Sequence, residues 1–320
     1  FVELVDDFAD VQGQFMAKRA LEIAAAGGHN VLMVGVPGSG KTMLAKRMSS
    51  ILPEMTREEA LEVTKIYSIA GKLPQGGGLM KKRPFQNPNH DASTAAIIGG
   101  GTTPTPGQVT LAHNGVLFLD ELPEFKKSTL EALREPLEER QITISRVSGT
   151  LTFPSSMILI CAMNPCPCGW NGDNDHFCRC STLDIKRYTR RLSGPLLDRI
   201  DIHIRVPRVK YDELSSKRRN EPSSVIRERV SAARKIQTQR LEKYHLFCNA
   251  QMTHALIQKL CILEPAAEEL LKEVFETKKL SARSYDRIIK VGRTIADLDG
   301  GAELITSRHI AEEIKLRSDF

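Results

Sequence analysis

Short uninterrupted apolar runs mark the first two thirds of the 320-residue chain, and amphipathic stretches of helical period fill the last third. Residues 30–35, 116–119 and 157–162 are short, largely apolar runs, and together with 200–206 they read as parallel strands buried in a sheet. After the first run glycines break the chain, and residues 42–51 then place Met43, Leu44 and Met48 at helical spacing. That order predicts strand, loop and helix. Beyond Pro207 the segments 223–244, 253–260, 264–276, 282–298 and 306–316 carry the 3.6-residue period, with Ser281 and Thr306 as N-caps. The pattern therefore predicts an α/β domain over 1–207 and an all-α domain over 208–320, divided at the polar stretch 207–222 that ends in 217–222.

Two stretches interrupt this pattern. Residues 71–115 are too long and too rich in glycine (Gly76, Gly77, Gly78, Gly99, Gly100, Gly107) for an ordinary connection. Residues 141–153 alternate Ile142 and Ile144 with a turn at Ser148 and Gly149, then Leu151 and Phe153, which predicts a β-hairpin.

Composition changes the picture little. With 41% hydrophobic and 26% charged residues the chain is expected to fold, and 45 Lys and Arg against 39 Asp and Glu leave a net charge of +6. That charge permits nucleic acid as a partner without selecting it, because both signs are spread along the chain. No run approaches the roughly 18 apolar residues of a membrane span, and no signal peptide is present, so the expected location is cytoplasmic. The chain opens on Phe1 in mid-pattern, as a domain cut from a longer protein would.

Chemistry enters at residues 35–42. Gly35, Pro37, Gly38, Ser39, Gly40, Lys41 and Thr42 fit the phosphate-loop pattern G-x-x-x-x-G-K-[ST], with the strand before and the helix after that it requires. Its glycines let backbone N–H groups wrap phosphates, Lys41 reaches the β and γ phosphates, and Thr42 holds Mg²⁺. The run 117–119 ends in Asp120 and Glu121, placed to hold Mg²⁺ and to polarise an attacking water, respectively. Asn164 ends the next strand and either orients that water or serves as a turn residue before Pro165. Phosphoryl transfer also calls for a cation at the transition state. Arg199 and Arg283 are the candidates, against a reading as solvated surface arginines, with Arg190 and Arg191 in reserve.

Seven cysteines are present, and four of them, Cys166, Cys168, Cys178 and Cys180, fall within a loop over 166–180. Two C-x-C pairs can close a tetrahedral structural Zn²⁺ site; free thiols or a labile redox pair are the alternatives. His176 either replaces one ligand or is a solvent-exposed histidine. This clustering argues for a metal in a reducing compartment over a disulfide framework.

Taken in order, these motifs resemble an AAA+ ATPase, a P-loop NTPase with a three-layer core around a parallel sheet and a helical lid, and in detail they resemble the magnesium-chelatase-like ComM (YifB) family. The likeness runs over essentially the whole chain. It implies that residues 8–14, including Val11, line the adenine pocket, that 71–115 is the helix-2 insertion, and that 141–153 is the pre-sensor-1 hairpin. It further implies sensor 1 at Asn164, an arginine finger at Arg199 and sensor 2 at Arg283. A homo-oligomeric ring, a hexamer in most relatives, would place Arg199 in the ATP site of the adjacent subunit. Full-length relatives carry a Lon-protease-like domain ahead of the ATPase. In residues 85–90 the chain departs from the family pattern of an arginine and a histidine pair, although His90 remains.

The resemblance implies an ATP-driven DNA motor that promotes branch migration in natural transformation; chelatase relatives use the same ring to drive metal insertion. ComM-type proteins have the cysteine cluster and chelatase subunits lack it, which favours DNA. If DNA threads the ring, its contacts are expected to be basic and sequence-neutral. Lys81, Lys82, Arg83 and Arg146 are the positions for them, against a reading as solvated surface. Two further readings stay open: an ATP-driven protein remodeller and an ATP-switched assembly scaffold.

Overall fold

A computed structural model describes residues 6–74, 76–100, 105–146, 149–192, 194–215 and 220–317. The strands are β1 (Val31–Val34), β2 (Phe85–Gln86), β3 (Gly99–Gly100), β4 (Thr105–Pro106), β5 (Val116–Leu119), β6 (Gln141–Arg146), β7 (Gly149–Pro154), β8 (Ile158–Met163) and β9 (Ile202–Arg205). The helices of the first half are α1 (Phe15–Gly27), α2 (Lys41–Ile51), α3 (Arg57–Ile69), α4 (Thr94–Ile98), α5 (Gln108–Leu111), α6 (Lys127–Ala132) and α7 (Arg134–Glu139). Those of the second half are α8 (Thr182–Thr189), α9 (Gly194–Leu197), α10 (Tyr211–Leu214), α11 (Ser223–Leu241), α12 (His254–Leu260), α13 (Pro265–Thr277), α14 (Ala282–Leu298) and α15 (Ser307–Leu316). A five-stranded sheet runs in the order β2-β5-β8-β1-β9. The expected α/β P-loop fold with a helical C-terminal region is thus the observed one.

The chain forms two compact units, residues 32–49 with 54–199, and residues 1–31 with 50–53 and 200–320. In the first, β5 pairs in parallel with β2 and with β8, in the registers Phe85↔Val116 and Val116↔Ile158. Strands β1, β5 and β8 are buried at every position, which is why they appear as unbroken apolar runs. Their carboxyl ends lead into the glycine loop, into Asp120 and into Asn164. Strand β2 was not foreseen: the stretch 71–115 contributes a strand to the main sheet, and two residues are too few to show a period.

The hairpin is present as β6 and β7, with Ile142 opposite Phe153 and Ile144 opposite Leu151. Ile142, Ile144 and Phe153 are buried and Leu151 is exposed, the alternation of a half-buried ribbon. Ser148 of the expected turn, residues 217–219 of the expected linker and the side chain of Arg146 lie outside the described residues.

The second unit joins α1 to the C-terminal helices, since α1 packs on α11 and α14. Its core is built from Leu241, Met252, Ile257, Leu271, Ile288 and Ile310. Ser281 caps α14 by accepting the Ser284 N–H at 3.2 Å, and Thr306 stands at the N-cap of α15. Among the described residues, no helix is long and apolar enough to cross a membrane.

Candidate nucleotide site and cysteine cluster

Gly38 and Gly40 take φ of +75° and +93°, the left-handed region open to glycine, and so curl the loop between β1 and α2. Lys41, the first residue of α2, folds back over that loop. Its Nζ donates to Gly35 O at 2.7 Å and Val36 O at 3.0 Å, and lies 3.4 Å from both Ser39 Oγ and Asn164 Oδ1. Burial lowers the Lys41 pKa and the Asp120 carboxylate opposes that shift. An amine that has given up hydration to hydrogen-bond carbonyls is poised to exchange them for phosphate oxygens.

Thr42 Oγ1 donates to Asp120 Oδ2 at 2.7 Å, and the other Asp120 oxygen accepts the Glu121 N–H at 2.9 Å. A hydroxyl and a carboxylate side by side at a phosphate loop are the donor set of a hard, oxygen-seeking cation such as Mg²⁺. Glu121 adopts φ +53°, unusual for a residue with a side chain, and its carboxylate is 61% exposed. The chain then turns down into buried Leu122 and Pro123, which lifts the Glu121 carboxylate off the end of β5. His90 Nδ1 stands 3.3 Å from Glu121 Oε2, and the His90 ring packs edge-on to Phe125. Sequence reasoning noted His90 without giving it this place; parallel pairing of β2 with β5 brings the two loops together.

Gly35 to Thr42, Asp120, Glu121 and Asn164 thus share one unit and one edge of the sheet. Arg199 belongs to the same unit, is 17% exposed and forms an ion pair with Glu138 of α7. Arg191 pairs with Glu124 at 3.0 Å. Val11, fully buried, and Arg283, exposed in the first turn of α14, belong to the other unit. Of the basic positions, Lys81 and Lys82 are exposed. Arg83 is 11% exposed; it pairs with Glu59 at 2.9 Å and donates to Asn114 O at 2.8 Å. Arg146 is the last residue of β6.

The four cysteines converge beyond β8. Their sulfurs all lie within 4.8 Å of one another, with Cys166 to Cys168 at 3.4 Å, Cys166 to Cys178 at 3.7 Å and Cys168 to Cys178 at 3.6 Å. Four thiolates at about 2.3 Å from a tetrahedral Zn²⁺ stand about 3.8 Å apart, so the donor set fits that ion. The thiols do not ionise alike: hydrogen bonds from the backbone of Trp170 and Arg179 and from neighbouring thiols pull Cys168 down to about 6. At Cys180 a lowering backbone bond from Cys168 is outweighed by desolvation and the neighbouring sulfurs, which push it up to about 12. Crowded sulfurs resist collective ionisation unless a cation shares the charge. His176 turns away from this set, with Nδ1 on Asp173 at 3.1 Å and its ring stacked 4.0 Å from Trp170.

Comparison with known proteins follows the same division of the chain. The family model described as magnesium chelatase, subunit ChlI, matches residues 7–214, and its C-terminal counterpart matches 220–317. Over 314 residues the chain is 45% identical to competence protein ComM of Haemophilus influenzae, covering 98% of this chain and 60% of that protein. It is 44% identical over 313 residues to the YifB protein of Salmonella typhimurium, again covering 98% and 60%. A magnesium-chelatase 67 kDa subunit of Chlorobaculum parvum is 26% identical over 49% of this chain. The chain spans about 60% of the length of the ComM and YifB proteins it matches. It belongs to the magnesium chelatase ChlI family of AAA+ proteins, on the branch that holds ComM and YifB.

Proposed function

We propose that the chain is the ATP-hydrolysing part of a ring-forming, cytoplasmic DNA translocase of the ComM type, promoting branch migration in natural transformation. The observation that carries this reading is the joining of Thr42 to Asp120 and of Lys41 to Asn164 across three strand ends, a ready cradle for a nucleoside triphosphate. Thr42 and Asp120 hold Mg²⁺, which neutralises charge on the β and γ phosphates. Lys41 and the amides of residues 35–42 bind those phosphates, Glu121 takes the proton of the attacking water, and Asn164 orients it. Arg199 leaves Glu138 to reach the site of an adjacent subunit in a hexamer, Arg283 acts from the lid, and Val11 lines the adenine pocket. The core 1–207 and lid 208–320 are the working domains.

Zn²⁺ at Cys166, Cys168, Cys178 and Cys180 is a structural ion in this reading. DNA passes through the ring, met by Lys81, Lys82 and Arg146, with Arg83 bracing behind them. Similarity to the competence protein supports the DNA partner. The chelatase description of the matching family supports a second reading, an ATP-driven remodeller of a protein.

Steady-state ATP hydrolysis with and without single-stranded and forked DNA, at low and moderate salt, separates them. A DNA-stimulated, salt-sensitive rate that Glu121→Gln removes is the expected result. A rate indifferent to DNA favours the remodeller, and a rate untouched by Glu121→Gln takes that residue out of the chemistry.

A further inference from the structure

The cysteine loop does more than close on itself. Gly169, between Cys168 and Trp170, has φ +86°, and a Cβ placed on it would sit 2.8 Å from Cγ and 2.9 Å from Cδ of Pro37. The turn that carries two of the sulfurs therefore packs closely on the ring of Pro37, inside the phosphate loop, with Asn164 Nδ2 3.8 Å from that same Cβ position. The turn is held by Gly169 N–H donating to Cys166 O at 3.0 Å, and Cys166 is fully buried. Tyr188 of α8, in the helix that follows the loop, lies near the Asn164 backbone, which works against the burial that raises the Tyr188 pKa. The loop thus leaves the sheet just beyond Asn164, gathers four sulfurs and packs against Pro37.

We propose that this knuckle is the rear wall of the phosphate loop, so that a metal ion on the four sulfurs and a nucleotide on residues 35–42 strengthen each other's binding. The proposal rests on the reading of those two sites given above. Amides that bind phosphate are effective because they are held in place beforehand. Pro37 is held from behind by a turn whose position is set by the sulfur cluster, and releasing the ion frees that turn. Coupling between two sites is reciprocal: the factor by which the metal tightens nucleotide binding is the factor by which nucleotide tightens metal binding.

The test titrates ADP and a non-hydrolysable ATP analogue into the reduced, zinc-loaded chain and into the same chain stripped with a zinc-selective chelator, with Mg²⁺ present in both. Roughly tenfold weaker binding after stripping is expected, together with an equal tightening by saturating nucleotide of zinc affinity, read at equilibrium in competition with a chelating dye. Gly169→Ala keeps all four sulfurs, so it should retain zinc yet bind nucleotide several-fold more weakly. That variant decides the matter if the stripped chain loses its fold. Nucleotide affinity unchanged by zinc and by Gly169→Ala overturns the coupling alone. Failure of the zinc-loaded wild type to bind nucleotide, or of the reduced chain to bind zinc, overturns the corresponding site reading and the coupling with it.

Discussion

At the carboxyl edge of the sheet, Lys41, Thr42, Asp120 and Glu121 stand where strands end, and the Glu121 carboxylate is 61% exposed. In the helical unit the same kinds of side chain are sealed inside: Asp297 and Arg293 have 0% and 2% exposed side chains and pair at 3.2 Å. Asp297 also receives Arg240 and, at 2.9 Å, Asn249, while His29 bridges Asp201 and Thr294 at 2.8 and 2.7 Å. The first set leaves the Glu121 carboxylate open to solvent, and the second satisfies itself within the fold. A charged residue therefore carries functional meaning only with its surroundings, since burial with full pairing is a structural use.

Substitutions should split along that line. Glu121→Gln is expected to lower ATP turnover by about 10²- to 10⁴-fold, in keeping with loss of a general base, and to leave the melting temperature nearly unchanged. Asp297→Ala should do the reverse. It strands Arg293 in the interior and leaves half-buried Arg240 without that carboxylate, at a cost of about 3–5 kcal/mol in a denaturant titration, while turnover per folded molecule persists.

Glu313 sharpens the comparison with pH. It is buried on α15, its Oε2 has no hydrogen-bond partner among the described residues, and burial pushes its carboxyl up to about 7 from an ordinary 4.5. Arg317 and Arg287 pull it down, and Asp201, like burial, pushes it up. The folded chain then holds this proton more tightly than the unfolded chain. Its contribution to stability is full below about pH 4.5 and is lost as pH rises through about 7, up to about 3 kcal/mol in all. Glu313→Gln should flatten that part of the stability profile; a difference from wild type that does not change between pH 4.5 and 7 would remove the buried acid from the account. The smallest effect belongs to the helix start. Ser281→Ala removes the acceptor for Ser284 N–H and should cost about 1 kcal/mol in thermal unfolding.

Much of the site was legible because its parts are local. The phosphate loop is one contiguous pattern, Asp120 and Asn164 end apolar runs, and the hairpin announces itself by alternation. The four cysteines fall within fifteen positions. What stayed hidden joins distant stretches. Strand β2 has two residues, too few for any period. The ion pair of Arg199 with Glu138 and the bracing of Glu59 by Arg83 depend on helices packing beside them. His90 meets Glu121 only because β2 lies beside β5.

Periodicity and contiguous motifs were enough to settle the fold class, the glycine loop between the first strand and its helix, and the helical nature of the last third, because each is written in neighbouring residues. The fold alone decided which charges are spent inside, which residues beyond the motif touch the Glu121 carboxylate, and that the cysteine turn rests on Pro37. It also joined residues 6–31 to the C-terminal helices, since α1 finds its apolar partners there. Such contacts are made between segments far apart in the chain, and no local spacing encodes them.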